Sequence, residues 1–421
     1  MDIPVSVNPA TRTGLWDERN LRWYLGSQLV SFCGTLLQSS VLSLLVIKLV
    51  PHNAPYWVGI VWALGFLPGA VLAPFAGVYV DRADKSLILK YTSVLGVIQA
   101  LALALLTFSG LITVWQICLL SLLGGFVTVL DAPTRNAFIK DIVLHGHNVG
   151  PGSQAFSALW NVAQFVGPGL AGPLVLAVGY GSAFLINGLS FGGLLVAITK
   201  MHLGHLPPRE LEPVHPWRQF RSGLAYTFGE PGIRLGILLS TTIGIFGFSF
   251  TVVLPVIAKE MFSGDYKQVY SYLGGSHGLG GLLGSILVIS LGGRFRAKWL
   301  VIGGCVLVGS CLLLLAQAGT DNLLLAVALM FLAGLGYMFS FLALRGAVMR
   351  LARGPLMGRV VGIVLFFFFG SMMLGPMLAG ALIENFGSPT FLIISGGGLL
   401  LIAMSTPILP GINQLEPKQE K

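Results

Sequence analysis

The chain has 421 residues, 55% of them hydrophobic and only 10% charged, with a net charge of +9 and a mean hydropathy of +0.83. Soluble domains carry about 25% charged residues, so this composition excludes an ordinary water-soluble globule. The basic residues are confined to short segments between apolar runs, which points to membrane topology and away from nucleic-acid binding.

An apolar run of about 20 residues can cross a hydrocarbon core of about 30 Å. Twelve spans are predicted, at 21–49, 56–80, 87–109, 112–134, 153–178, 182–199, 233–258, 268–291, 299–318, 322–345, 358–386 and 388–409. The alternating segments of an outer-membrane barrel are absent. Residues 1–19 are polar and the first run is too long for a signal-peptide core, so no cleavable signal is expected. The expected fold is an all-α membrane protein with twelve transmembrane helices in two six-helix pseudo-symmetric bundles. Residues 1–199 form the first bundle and 232–421 the second. The longest polar interruption, 200–231, is the linker between them.

Twelve crossings place both termini on one side. Lys48, Lys259 and Lys267 are then the only basic residues on the far side, and the other 22 of the 25 lie on the terminal side, which is predicted to be cytoplasmic.

In span 1, Thr35 and Gln38 are polar groups near mid-depth. The turn after span 2 reads Gly77-Val78-Tyr79-Val80-Asp81-Arg82-Ala83-Asp84-Lys85, the densest charge cluster between the early spans. Gly77 lets helices approach, and Asp81 could accept hydrogen bonds at a neighbouring helix N-terminus. Arg82 and Lys85 would sit at headgroup level or pair across the bundle; a plain solvated loop is the alternative. Span 4 ends in Asp131-Ala132-Pro133-Thr134-Arg135, expected at the inner membrane edge, with Asp131 and Arg135 paired and linked toward the Asp81 loop. Local neutralisation at a helix end is the competing reading.

Asn161 and Gln164 fall in span 5, beside Gly167-Pro168-Gly169-Leu170-Ala171-Gly172. That hexapeptide returns 208 residues later as Gly375-Pro376-Met377-Leu378-Ala379-Gly380 in span 11, and Gly179 and Gly188 return as Gly387 and Gly396. The repeat implies two similar halves fused in tandem. Gly167, Pro168, Gly172, Gly375, Pro376 and Gly380 permit close helix packing, and the prolines are candidate hinges.

Thr241 and Thr242 in span 7, His277 in span 8, and Tyr337 and Ser340 in span 10 complete the candidate cavity set with Thr35, Gln38, Asn161 and Gln164. Buried polar groups in membrane spans mark cavities or interhelical bonds. His277 is the titratable side chain near mid-depth. Phe246, Phe248, Phe250, Phe366 to Phe369, Met372 and Met373 would suit a bulky, partly apolar ligand where they face a cavity. Half two has Arg345 where half one has Asp131 and Arg135, without the acid. The four cysteines lie in apolar runs without metal-ligand spacing. No phosphate loop, HExxH, GxSxG or mid-membrane carboxylate pair is present, so neither an enzyme nor a bound cofactor or metal is expected.

Gly77–Lys85 resembles the loop signature G-x-x-x-D-R-x-x-[RK] of the major facilitator superfamily, with Asp84 in place of the second glycine. Asp131-x-Pro-x-Arg135 and Trp160-Asn161 followed by Gly167-Pro168-x-Leu170-Ala171-Gly172 resemble its drug-efflux and siderophore-export branch, which includes the enterobactin exporter and macrolide efflux proteins. The resemblance implies alternating access coupled to protons, with Asp81 and Arg82 in a cytoplasmic gate. Two departures stand out: span 1 has no acid, and the middle of span 4 reads Leu122-Leu123-Gly124-Gly125-Phe126 where many members carry arginine. The expected function is export of a siderophore or drug-like small molecule across the bacterial inner membrane by a lipid-embedded monomer with cytoplasmic termini. A nutrient or lysolipid carrier, or a non-transporting membrane sensor, is the alternative.

Overall fold

The computed structural model describes residues 14–143, 145–201, 216–290, 296–318, 322–352 and 357–415, with Val78, Asp81, 216–220, 357–359, Asn413 and Leu415 described in their backbone alone. The other residues of the 200–231 linker and of the loop 292–298 lie outside it. The described chain is helical: α1 (Arg19–Leu49), α2 (Ala54–Arg82), α3 (Lys85–Phe108), α4 (Val114–Ile142), α5 (Val149–Lys200), α6 (Pro216–Gly229), α7 (Pro231–Ile243), α8 (Ser249–Met261), α9 (Tyr266–Ser290), α10 (Ala297–Gln317), α11 (Leu323–Leu351) and α12 (Met357–Ser405). A π-helical turn, Gly244–Phe248, joins α7 to α8 as one span. Among the described residues, ten helical segments are long and apolar enough to cross a membrane.

Two of those ten are too long for one crossing. At about 1.5 Å per residue, the 52 residues of α5 would run about 78 Å. α5 breaks at Gly179 (φ 83°) and α12 at Gly387 (φ 80°), where glycine supplies a backbone conformation that other residues resist. These are the two repeated glycines at the predicted ends of spans 5 and 11. Divided there, the helices supply the twelve crossings.

The Gly-Pro hexapeptides remain helical, so the breaks in the chain are at Gly179 and Gly387 and not at Pro168 or Pro376. Instead, the hexapeptides build the seams between the halves. α5 packs along α9, and α2 along α12. A Cβ on Gly172 would overlap the Lys267 carbonyl of α9, and one on Gly380 would overlap the Pro55 carbonyl of α2. Both seats lie near the far side. Tyr270 Oη donates to Ser40 Oγ at 2.8 Å, and Lys259 Nζ to the Pro51 carbonyl at 3.4 Å, each crossing between halves there.

The buried core follows the same division. One cluster joins Val41, Leu45 and Val58 of the first half to Leu254, Ile257 and Leu273 of the second. Every first-half member of it lies toward the far side of its helix. On the terminal side the cores are separate: Leu21, Tyr24, Leu89, Phe138 and Ile198 cluster within the first half, and Ile233, Ile237, Val348, Val360 and Ile363 within the second. The halves therefore share one core on the far side, whereas on the terminal side their cores are separate although α2 still meets α12 at Pro74 and Gly362. The linker is not wholly irregular, because α6 forms within it and packs against α12 and α2.

Gly172→Ala and Gly380→Ala are each expected to lower stability by about 1–3 kcal/mol through overpacking. Gly193→Ala, at a helical glycine with open space around it, should be neutral or slightly stabilising. Thermal unfolding of the purified variants checks this, and equal behaviour of all three would remove the seam argument.

Candidate functional site

The π turn decides what span 7 presents at mid-depth. A π turn shifts the face of the residues after it by one position and is frequent at functional sites. Here it carries Phe246 and Phe248, with Gly244 close against Ser371 of α12. Phe248 starts a chain of ring contacts with Phe66 of α2 (6.4 Å between centroids), and Phe66 meets Phe369 of α12 at 6.3 Å. The chain continues through Phe368, Phe341 of α11 and Tyr337, each step 5.8 Å, then His277 of α9 at 6.4 Å and Phe250 at 5.3 Å. These separations fall within the range of favourable aromatic pairs. On the first-half side, Trp62 lies 5.8 Å from Phe66 and is held by its Nε1 donating to Ser43 Oγ at 2.9 Å. Phe66 and Phe369 each lie twelve residues into their helices, about 18 Å from opposite ends. The track is therefore near the middle of the membrane and links both halves.

His277 is the polar member of this track. Its Nε2 is buried and has no hydrogen-bond partner among the described residues. It borders a narrow cleft with Asn161, Gln164, Gly278 and Met338. Asn161 Nδ2 donates to Ser285 Oγ at 3.2 Å across the α5–α9 seam. Of the predicted cavity residues, the fold thus gathers Asn161, Gln164, His277 and Tyr337. The others use their hydrogen bonds within packed helices. Thr35 donates to the Ser31 carbonyl, Thr242 to the Leu238 carbonyl, and Ser340 to the Val301 carbonyl. Gln38 accepts from Asn187 Nδ2 at 2.9 Å and meets Gln99 at 3.5 Å, tying spans 1, 3 and 6.

Asp131 and Arg135 pair as expected, but not at a helix end. α4 continues through Pro133 to Ile142, eleven residues past Asp131, so the pair lies about 16 Å inside the helix terminus. The helix runs past the predicted end at residue 134 and tolerates Pro133 within it. Asp131 is 9% and Arg135 3% exposed. Arg135 Nε bonds Asp131 Oδ2, and its Nη1 reaches Gln28 Oε1 at 2.5 Å and Ser31 Oγ at 3.2 Å. Thr92 donates to Asp131 Oδ1 at 2.7 Å, and Tyr24 Oη to the Arg135 carbonyl at 2.7 Å. The guanidinium also lies over the rings of Phe32 and Phe191. Among the described side chains, the partners are thus on α1, α3 and the second half of α5.

That loop has its own links. Lys85 Nζ pairs with Asp141 at the end of α4 (3.1 Å), a partner hidden from sequence reasoning by the early predicted end of span 4. Asp84, which replaces the signature's second glycine, caps α3 by accepting from the Leu87 amide at 3.1 Å. Gly77 has open space around it. Arg82 ends α2, next to Asp81. Glu18 is buried and accepts from Asn148 Nδ2 at 2.9 Å, fastening the start of α1 to the α4–α5 connection.

On the far side, a groove of about 370 Å³ runs along the α5–α9 seam between Gly169, Pro173 and Leu176 and the facing Gln268, Ser271 and Tyr272.

The family model for transmembrane secretion effectors matches residues 17–418. The chain belongs to that family of the major facilitator superfamily, and it is a transporter, not an enzyme. It is similar to the uncharacterised MFS-type transporter YuxJ of Bacillus subtilis, 25% identical over 80% of this chain and 84% of the relative. Macrolide efflux protein A of Streptococcus pyogenes is 22% identical over 84% and 87%. In fold it is similar to a D-xylose–proton symporter, with a TM-score of 0.73 at 15% identity over 97% of this chain and 99% of that one.

Asp131→Asn leaves Arg135 buried without its counter-charge, and about 3–5 kcal/mol of destabilisation is expected. The Asp131→Asn/Arg135→Gln double variant should recover part of that loss. Denaturation of the purified proteins checks both; additive losses would show that the two groups do not act as a pair.

Proposed function

We propose that this chain exports a small organic molecule by alternating access. Substrate enters the aromatic track from a cytoplasmic terminal side and leaves on the far side of the bacterial plasma membrane. The observation that carries this reading is the track itself, walled by rings from both halves beneath a closed far side. The charge distribution supports the orientation: three basic residues on the far side against twenty-two on the terminal side. The likeness to a macrolide efflux protein supports the direction. A sugar or carboxylate importer would call for several convergent polar groups at mid-depth, where rings predominate. The seam groove at Gly169, Gln268 and Tyr272 favours one second reading, a lysolipid carrier with lateral access.

Protons are the proposed coupling ion, and His277 is their proposed carrier. Its unpartnered Nε2 lies at the seam that closes or opens with each cycle, beside Phe250, Tyr337, Asn161 and Gln164. Asp81 and Arg82, with the Lys85–Asp141 bridge, form the proposed terminal-side gate, and the neighbouring Asp131–Arg135 pair stiffens the first bundle beneath it. One chain in the membrane contains the whole site, so a monomer suffices.

In bacteria lacking their main efflux pumps, expression should lower accumulation of an apolar fluorescent compound severalfold, and an uncoupler should abolish the difference. Uncoupler-insensitive export would exclude protons, and unchanged accumulation across an apolar panel would count against export. His277→Gln is expected to flatten the pH dependence of transport. Asp81→Asn should slow transport about tenfold, equivalent to about 1.4 kcal/mol in the barrier, while the protein stays folded. A wild-type rate in proteoliposomes would remove Asp81 from the gate.

A further inference from the structure

We infer that the substrate is an amphipathic organic anion, whose apolar body lies on the aromatic track and whose acidic group meets Arg345. The inference rests on the transporter reading above and names its substrate class.

Tyr337, Phe341 and Arg345 follow at i, i+4 and i+8, so they share one broad face of α11. Tyr337 and Phe341 stack with their rings nearly parallel, 10° apart, and Phe341 continues to Phe368. Arg345 therefore extends the aromatic wall by one turn toward the terminal side. α11 runs six residues beyond it, about 9 Å, so the side chain sits within the mouth of the bundle. It is exposed there, and no carboxylate among the described residues pairs with it.

The equivalent depth in the first half shows the contrast. Arg135 lies seven residues from the end of α4 and is neutralised by Asp131 within its own bundle. Arg345 lies six residues from the end of α11 with no such partner. A charge held inside a membrane bundle is costly unless it is paired or faces a water-filled pathway. With the terminal side open, Arg345 can remain hydrated. When that side closes, its water is lost and a counter-charge is needed, which an anionic substrate supplies. A guanidinium also offers the planar fork that fits carboxylate, sulfonate or phosphate groups.

The same inventory disfavours cations. Asp131 is committed to Arg135 and Thr92, and Asp141 to Lys85. Along the track itself, the described side chains offer a cationic ligand ring faces, worth less than a charge-assisted pair.

The test uses two compounds with one ring system and opposite charge, 1-naphthylacetate and 1-naphthylmethylammonium, binding to the full chain in nanodiscs. Wild type should bind the acid about tenfold more tightly than the amine, a preference measurable by equilibrium dialysis. Arg345→Gln should remove that preference by weakening the acid and sparing the amine, and Arg345→Lys should keep most of it. Equal or reversed preference in wild type, full preference in Arg345→Gln, or no binding of either compound overturns the inference. Export in cells is read separately, so a carrier that pumps a neutral or cationic dye while failing this charge test keeps its transport function and loses only the assigned substrate class.

Discussion

The two halves meet where backbone touches backbone. Gly172 faces the Lys267 carbonyl and Gly380 faces the Pro55 carbonyl, and no side chain longer than hydrogen fits at either seat. In a bilayer, lipid tails are as apolar as leucine, so helices gain little by hiding apolar side chains from lipid. Close approach through small residues supplies the contact instead. The duplicated hexapeptide therefore works as a pair of bearings, one on each seam, at matching depths near the far side. Everything else follows from where these bearings lie. The shared core is on their side, and the separate cores are on the other.

The scaffold is duplicated but the charges are not. The first half holds its arginine in a buried network with Asp131, Gln28, Ser31 and Thr92, which ties α1, α3 and α4 together. Such a pair contributes little net stability once desolvation is counted, but breaking it is expensive, so it resists rearrangement within the bundle. The second half spends its polar residues differently. Its span 7 contains a π turn, its span 8 a histidine with a bare Nε2, and its span 10 an arginine without an acid. The first bundle is cross-braced by this network, and the second has Arg345 without a paired carboxylate among the described residues.

Much of this was legible in the sequence because membranes impose simple rules. Run length gave the spans, and the repeat paired Gly179 with Gly387 just past the predicted ends of spans 5 and 11. Sequence reasoning went astray where local and long-range effects compete. Span 4 was expected to end at residue 134, but a helix inside a bundle can lose one backbone hydrogen bond at Pro133 and continue. The early predicted end hid Asp141, which pairs with Lys85. The aromatic track was only half visible. Phe366 to Phe369 stood out as a run, while Phe66 and Phe341 were single apolar residues among many. No local signal marks which faces converge, and the π turn that carries Phe248 begins at Gly244, where the chain lies close against Ser371. Gln38 and Ser340 looked like cavity residues because depth was readable and rotational orientation was not.

The far-side closure is well matched to the work a carrier must do. A seam of interlocked leucines would expose about 1.5–3 kcal/mol of apolar surface per side chain on opening to water. Glycine seats against carbonyl oxygens carry far less apolar area. The cross-half bonds there, Tyr270 to Ser40 and Lys259 to the Pro51 carbonyl, contribute about 0.5–1.5 kcal/mol each. Moving a two-state equilibrium from 1:99 to 99:1 takes about 5.5 kcal/mol of differential binding. The hydrogen bonds that cross the seam, including Gly172 N–H to Ser271 Oγ at 2.8 Å, are each modest, and the shared apolar core supplies the rest of the closure. A tighter seam would trap the protein closed, and a looser one would let both sides open together. The absence of side chains at Gly172 and Gly380 thus lets the halves approach to backbone contact with little apolar area at those two seats.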